Sequence, residues 1–161
     1  MVNRTLAEYE PPIEVEHRSP SLYENDYVLW VETIAQQLRS QSYDQVDWRN
    51  LIEEIEDMSR RERKALQSNL IVLLLHLLKW QFQAEMRSGS WGGSIVEHRQ
   101  RIQDDLQDSP SLRSVLPEIW ESAYQKAIAR AVAETGLAVA TFPIDCPYQL
   151  EDVLVDGFLP D

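Results

Sequence analysis

Apolar side chains recur three and four residues apart through most of the chain, and this spacing predicts helices. Ser21 and Glu24 have the spacing of a capping box, so a first helix is expected to begin there and to end near Arg39. Asp47 is placed to cap a second helix. The buried stripe of that helix is predicted to contain Trp48, Leu51, Ile52, Ile55 and Met58.

The segment from Ser59 to Gln83 has the pattern of a central helix. Ser59 and Glu62 repeat the capping-box spacing, which predicts a break or kink near Ser59. The run from Leu70 to Leu78 is apolar on all sides except at His76. A helix of that kind is normally covered by neighbours on several sides.

The C-terminal half alternates helical patterns with residues that end helices. Residues 87–94 hold three glycines and are predicted to form a loop; Pro110 ends a fourth helix, and Gly136 is the expected C-terminal cap of a fifth. Residues 21–161 are therefore predicted to form an all-α, single-domain bundle of four to five mostly antiparallel helices. Residues 1–20, with three prolines and little apolar content, are predicted to be an extended or mobile arm.

The net charge of −12 argues against nonspecific binding to nucleic acid and against binding to an anionic membrane. The charge is uneven, because residues 60–101 contain eight basic and three acidic side chains, a net charge of +5. A protein partner fits this acidic chain better than a nucleic acid does. The sequence leaves the partner's identity and the oligomeric state open.

Cysteine usage and hydropathy indicate the compartment. Cys146 is the single cysteine, which excludes a disulfide framework and fits a reducing environment. The most apolar stretch, 70–78, is far shorter than the ~20 residues that a bilayer requires. A secretory signal is not expected at the N-terminus. The sequence thus predicts a cytoplasmic protein with neither a cofactor nor a structural metal.

Glu53, Glu54 and His76 are the weak catalytic candidates. Glu53 belongs to an acidic cluster on one helix, which suits either a basic partner or a hard cation, although the glutamate–histidine pairs of helical di-iron sites are missing. The cluster equally suits a solvated face that pairs with the basic residues one turn on. His76 lies among leucines, where a core histidine with one hydrogen bond is the simpler interpretation and a general base is the alternative.

Arg87, Ser90, Arg99 and Arg101 are the candidates for binding an anion or a partner. Arg87 and Ser90 precede or open a helix, and helix starts attract anions. The segment lacks the lysine and the spacing of a phosphate-binding P-loop. Helix capping and packing of Trp91 are the simpler alternative.

Several strings taken together resemble the family known as domain of unknown function 29. They are Leu51–Asp57 (LIEEIED), His76–Trp80 (HLLKW), Ser90-Trp91, Glu134–Leu137 (ETGL), Phe142-Pro143 and Cys146–Tyr148 (CPY). The similarity runs from about Leu22 to Pro160. This resemblance implies a helical cytosolic protein of bacteria, mostly cyanobacteria, and it brings no known activity or catalytic residue.

Two functions from different classes remain. The first is a non-enzymatic module that binds a partner protein or regulates it, through an acidic face or a groove beside the central helix. The second is a small enzyme or nucleic-acid-processing protein that holds an anion with arginines and uses a glutamate or His76 as its base. The sequence favours the first, because a recognisable catalytic set is missing.

Overall fold

The computed structural model of the protein describes residues 21–161, and the predicted arm lies outside that range. The described chain is all-α and contains no strand. Six α-helices follow one another: α1 (Leu22–Asn25), α2 (Tyr27–Arg39), α3 (Trp48–Phe82), α4 (Gly89–Asp108), α5 (Val115–Thr135) and α6 (Leu150–Val153). Short 3-10 turns lie between several of them. The predicted fold class is confirmed.

Packing divides the chain into two compact units, with the boundary between Glu54 and Ile55 inside α3. In the first unit, α2 runs antiparallel to the start of α3. Its small core consists of Trp30, Ile34 and Val46, with Tyr23 and Leu51 packed against it.

Local sequence sets the helix ends of the first unit. Ser21 and Glu24 form the predicted capping box. The first predicted helix is nevertheless two helices, because the Asp26 carboxylate accepts a hydrogen bond from the backbone amide of Leu29 at 3.0 Å and so begins α2. Asp47 caps α3 in the same way, through the amide of Asn50 at 3.3 Å.

The second unit is built on three long helical segments. Gln67 of α3 contacts Ser122 of α5 at 2.9 Å, and Lys79 contacts Glu134 twelve residues further along both helices, so α3 and α5 run parallel. Helix α4 runs antiparallel to α3. The core is the apolar part of α3 together with the inner faces of α4 and α5: Leu66, Leu70, Ile71, Leu73, Leu74, Leu75, Leu77, Leu78, Ile95, Ile102, Leu106, Ala123, Tyr124, Ala127 and Ala131, among others.

The break predicted near Ser59 is wrong, because α3 continues unbroken from Trp48 to Phe82. A serine followed three residues later by a glutamate also occurs inside solvent-exposed helices. This spacing alone therefore does not show that a helix begins there. Arg60 pairs with Glu56 and Asp57 across the predicted break, and such pairs stabilise a continuous helix.

The predicted buried stripe at the start of α3 is also wrong. Four of its five members, Trp48, Ile52, Ile55 and Met58, are between 47% and 61% exposed. Only Leu51 packs against the core of the first unit. Helical spacing identified the apolar face, but spacing alone does not show whether another element covers that face.

The glycine-containing loop predicted at 87–94 is largely helical. Helix α4 already begins at Gly89, with Ser88 as its N-cap. Gly92 lies inside the helix near the Trp80 ring, where a Cβ atom would stand at an ordinary contact distance of 3.8 Å. Gly136 ends α5 in the left-handed conformation at φ 71°, which confirms the predicted cap.

Candidate interaction surface

One flank of α2, beside its buried face, is apolar. Val28, Val31, Ala35 and Leu38 follow one another with spacings of three, four and three residues, which places them in one row along the helix. Val28 is 66% exposed and Val31 is 42% exposed. Rows of apolar residues with this spacing normally pack against another helix. In the described chain this row is largely uncovered.

The first turns of α3 extend the same surface. Trp48 and Ile52 are four residues apart and about half exposed. Because α2 and α3 are antiparallel and meet through Trp30, Ile34 and Leu51, helical periodicity turns this pair to the same side as the row on α2. We call the six residues Val28, Val31, Ala35, Leu38, Trp48 and Ile52 the outer apolar face. A contiguous apolar surface of this kind typically marks a binding site.

An aromatic cluster fixes α2 against α3 beneath the outer apolar face. The Tyr23 and Tyr27 hydroxyls both donate to the Glu54 carboxylate, at 2.6 and 2.9 Å. Tyr23 meets Trp30 edge to face, with ring centroids 4.8 Å apart. The hydrogen bond to Glu54 is the main cause that raises the pKa of Tyr23 to about 12. Glu54 is therefore part of the packing between two helices.

Asp47 closes the other end of this helix pair. Its carboxylate accepts hydrogen bonds from the Trp30 indole at 3.3 Å and from the Asn50 side chain at 2.6 Å. Burial raises the pKa of Asp47, but the hydrogen bonds from Asn50 and Trp30 outweigh it, so the pKa lies below its ordinary value. Contacts at both ends therefore hold α2 against the start of α3.

An open cleft of about 620 Å³ lies on the other side of α3 from Trp48 and Ile52. Polar and acidic side chains line it: Ser21, Tyr23, Glu24, Asp47, Arg49, Asn50 and Glu53. Glu53 is exposed there. Among the described residues, histidine, cysteine, aspartate and glutamate form no group of three that could hold a metal ion.

The three weak catalytic candidates have separate local roles. Glu53 lines the cleft and Glu54 binds the two tyrosines. His76 is partly buried, and its Nδ1 lies 2.9 Å from the Val72 carbonyl oxygen in its own helix. This contact engages one ring nitrogen, and its partner lies in the same helix. A catalytic role for these residues stays a prediction.

The four candidate anion-binding residues do not all lie on one exposed surface. Arg87 is exposed, donates to the Trp80 carbonyl oxygen at 2.8 Å and lies over the Trp80 ring. Ser90 is exposed in the first turn of α4. Arg101 forms an exposed pair with Glu97 at 2.7 Å. Anion binding by these side chains stays a prediction.

Arg99 is only 2% exposed and is used inside the protein. Its guanidinium donates to the carbonyl oxygens of Val153 at 2.8 Å and Phe158 at 2.7 Å. Burial lowers its pKa below the ordinary arginine value, although the group remains charged. Arg99 therefore anchors the C-terminal segment. No sequence signal distinguished this arginine from the exposed ones.

Cys146 lies partly buried beside aromatic residues. Burial is the main cause that raises the pKa of its thiol to about 11. At neutral pH the side chain is therefore a thiol and a poor nucleophile.

The outer apolar face is the feature that sequence reasoning did not find. The signal was present, because apolar residues occupy about half of the circumference of α2, and Val28 and Leu29 lie outside the stripe that buries Trp30 and Ile34. Val31 and Leu38 are both exposed in the structure.

The fold and this surface define a small all-α protein. The model of the family named domain of unknown function DUF29 matches residues 22–159, so the chain belongs to that family. No curated protein and no solved structure matches the chain. Within residues 21–161, no helix combines the length and the apolar character needed to cross a membrane.

Proposed function

We propose that the protein is a non-enzymatic interaction module that docks a helix of a protein partner on the outer apolar face. One observation carries this proposal: six apolar residues of α2 and α3 lie on one side of this helix pair, and most of them are exposed. Val28, Trp48 and Ile52 are each about half exposed or more. Leaving such a surface in water is unfavourable by about 25 cal/mol per Å².

The spacing on α2 favours a helix as the bound element. Residues three and four apart form a ridge that fits the groove between the side chains of another helix. A flat or extended partner would not use this row along its length. The cleft and the arginine candidates do not form a comparable binding surface. Each of their described side chains either makes a local contact or lies apart from the others.

Site-specific photo-crosslinking tests the proposal. A benzophenone amino acid placed at Val31 should form a discrete protein adduct in the native host. The same group at Val139, which is 66% exposed in the second unit, is the matched control and should form none. Unchanged thermal unfolding of both variants would show that the fold is intact. Failure to form an adduct at Val31, or equal adducts at both positions, would contradict the proposal.

A further inference from the structure

We infer that the helix docked on the outer apolar face is a basic amphipathic helix of another protein, with one apolar stripe and with lysine or arginine beside it. This inference rests on the proposed function and names the chemistry of the partner. Two observations carry it: the net charge of the unit that bears the face, and the carboxylates at the edge of the face.

The unit that bears the outer apolar face is strongly acidic. Residues 21–54 contain seven acidic and two basic side chains, a net charge of −5. Such an excess of one charge on a small unit attracts groups of the opposite charge and disfavours the approach of like charge. A partner with basic side chains around its apolar stripe is therefore favoured over a neutral or an acidic one.

Glu32 lies at the edge of the outer apolar face. It follows Val28 by four residues and precedes Ala35 by three, which places it directly beside the apolar row of α2. Its side chain is exposed and forms no ion pair with another described residue. A docked helix can place a lysine or arginine against Glu32, and charges at the rim of an interface help to fix its register.

A second carboxylate lies at the Trp48 end of the face. The Trp48 indole donates a hydrogen bond to the Tyr43 carbonyl oxygen at 3.0 Å, and Asp44 is the next residue along the chain. The Asp44 side chain is exposed and has no ion-pair partner in the part of the chain that the structure describes. Of the two basic side chains of the unit, Arg49 lines the cleft and Arg39 lies on the same flank of α2 as the face. Acidic groups therefore outnumber basic ones at the edge of the face.

The same charge disfavours two other occupants of the face. In a pair of copies of this chain, two units that each carry a net charge of −5 would meet, and like charges across an interface are unfavourable. An anionic lipid surface is disfavoured for the same reason. A basic amphipathic helix is the occupant for which both apolar contact and charge favour docking.

Two synthetic peptides test the inference. Each has about 18 residues, enough to form a helix, and both carry the same leucine stripe. One peptide has lysine and the other has glutamate at the remaining positions. The lysine peptide should bind the purified full chain at least about tenfold more tightly in about 50 mM salt, and this preference should shrink in about 500 mM salt.

Fluorescence anisotropy of the labelled peptides measures both affinities. Equal binding of the two peptides, or tighter binding of the glutamate peptide, would overturn the inference. Failure of the lysine peptide to bind would overturn it as well.

Variants of the chain show whether the lysine peptide uses the outer apolar face. Val31→Asn should weaken its binding at least about fivefold, because the substitution places a polar group in the apolar contact. Val139→Asn makes the same change at an exposed residue of the second unit and should leave binding unchanged. Unchanged circular dichroism spectra would show that both variants fold. Binding that Val31→Asn leaves intact would overturn the inference, because the peptide would then be held elsewhere by charge.

Reversal of one edge charge tests the contribution of Glu32. Glu32→Lys should weaken the lysine peptide and strengthen the glutamate peptide, each about threefold. Glu118→Lys changes the net charge equally at an exposed site in the second unit and should have a smaller effect on both. Equal effects of the two reversals would overturn the assignment of the basic partner to this face.

The photo-crosslinking at Val31 separates this inference from the proposed function. An adduct with a helix of net positive charge in another protein supports both. An adduct with a neutral or acidic segment, or with a second copy of the chain, overturns the inference but supports docking on the outer apolar face. If no adduct forms, the proposed function itself fails.

Discussion

The ammonium group of Lys79 donates a hydrogen bond to Glu134 at 2.6 Å, although 55 residues separate the two along the chain. Lys79 is only 8% exposed, and its charge also lies 4.5 Å from the centre of the Trp91 ring. Three helices therefore meet at one buried charge, since the three residues belong to α3, α5 and α4. If a buried ammonium group loses its carboxylate partner, the free-energy cost of removing the ammonium from water is no longer offset, and the folded state is destabilised.

Glu134→Gln should lower the free energy of unfolding by about 1 kcal/mol, because the carboxylate is itself half exposed and its pairing is partly screened. Urea unfolding followed by circular dichroism measures this change. Glu118→Gln makes the same substitution at an exposed site near the start of α5 and should change stability by less than about 0.5 kcal/mol. Equal effects of the two substitutions would show that the buried pair contributes nothing specific.

Arg99→Lys should destabilise the second unit by about 2 kcal/mol, because a lysine cannot reproduce two guanidinium hydrogen bonds at a buried site. Hydrogen exchange should accelerate in residues 150–158, the segment that contains the two carbonyl groups bound by Arg99. Arg101→Lys, in an exposed pair on the same helix, should leave both quantities unchanged. Exchange that rises evenly over the whole chain would contradict the anchoring role.

Cys146 should react with iodoacetamide about a hundredfold more slowly at pH 8 than an unperturbed thiol, because its pKa of about 11 lies two units above the reference value of 9.0. Since the folded pKa is raised, its contribution to stability is complete below pH 9 and is lost as the pH rises towards 11. Alkylation rates measured by mass spectrometry from pH 8 to 10 test this. Reaction as fast as that of a small free thiol would contradict the burial.

Ser59→Pro should destabilise the protein by about 3 kcal/mol, because a proline inside a continuous helix removes a hydrogen bond and clashes with the preceding turn. Thermal unfolding measures the loss. Ala138→Pro, outside the long helices at a position whose φ of −63° already suits proline, provides the contrast. A proline tolerated at position 59 would mean that α3 is broken there after all.

The fold class was predictable because helix formation depends on local spacing and on caps that the chain itself supplies. Asp47 and Gly136 marked helix ends through hydrogen bonds and backbone geometry within a few residues. The prediction at Ser59 was wrong because a capping pattern is equally local. It does not include the ion pairs that connect the residues before and after Ser59. Trp48 and Ile52 are about half exposed, and the spacing of apolar residues does not show how completely a face is covered.

The candidate site was less predictable for the same reason. Arg99 and Arg101 are two residues apart and chemically identical, yet the first is buried against backbone carbonyl groups and the second is exposed. The two arginines differ only because the C-terminal segment, which is distant in sequence, packs against Arg99 and not against Arg101. To predict the outer apolar face, one would have to know which of the two apolar sides of α2 packs against α3.

Labelling of a cysteine at Val31 in intact cells tests the central claim, that another helix covers the outer apolar face. The measurement uses a Cys146→Ser chain that carries either Val31→Cys or, as control, Val139→Cys, treated with a small membrane-permeant maleimide. The cysteine at position 31 should label at least about tenfold more slowly than the one at 139, and the two rates should converge after unfolding in urea. Equal rates in native cells would contradict the claim.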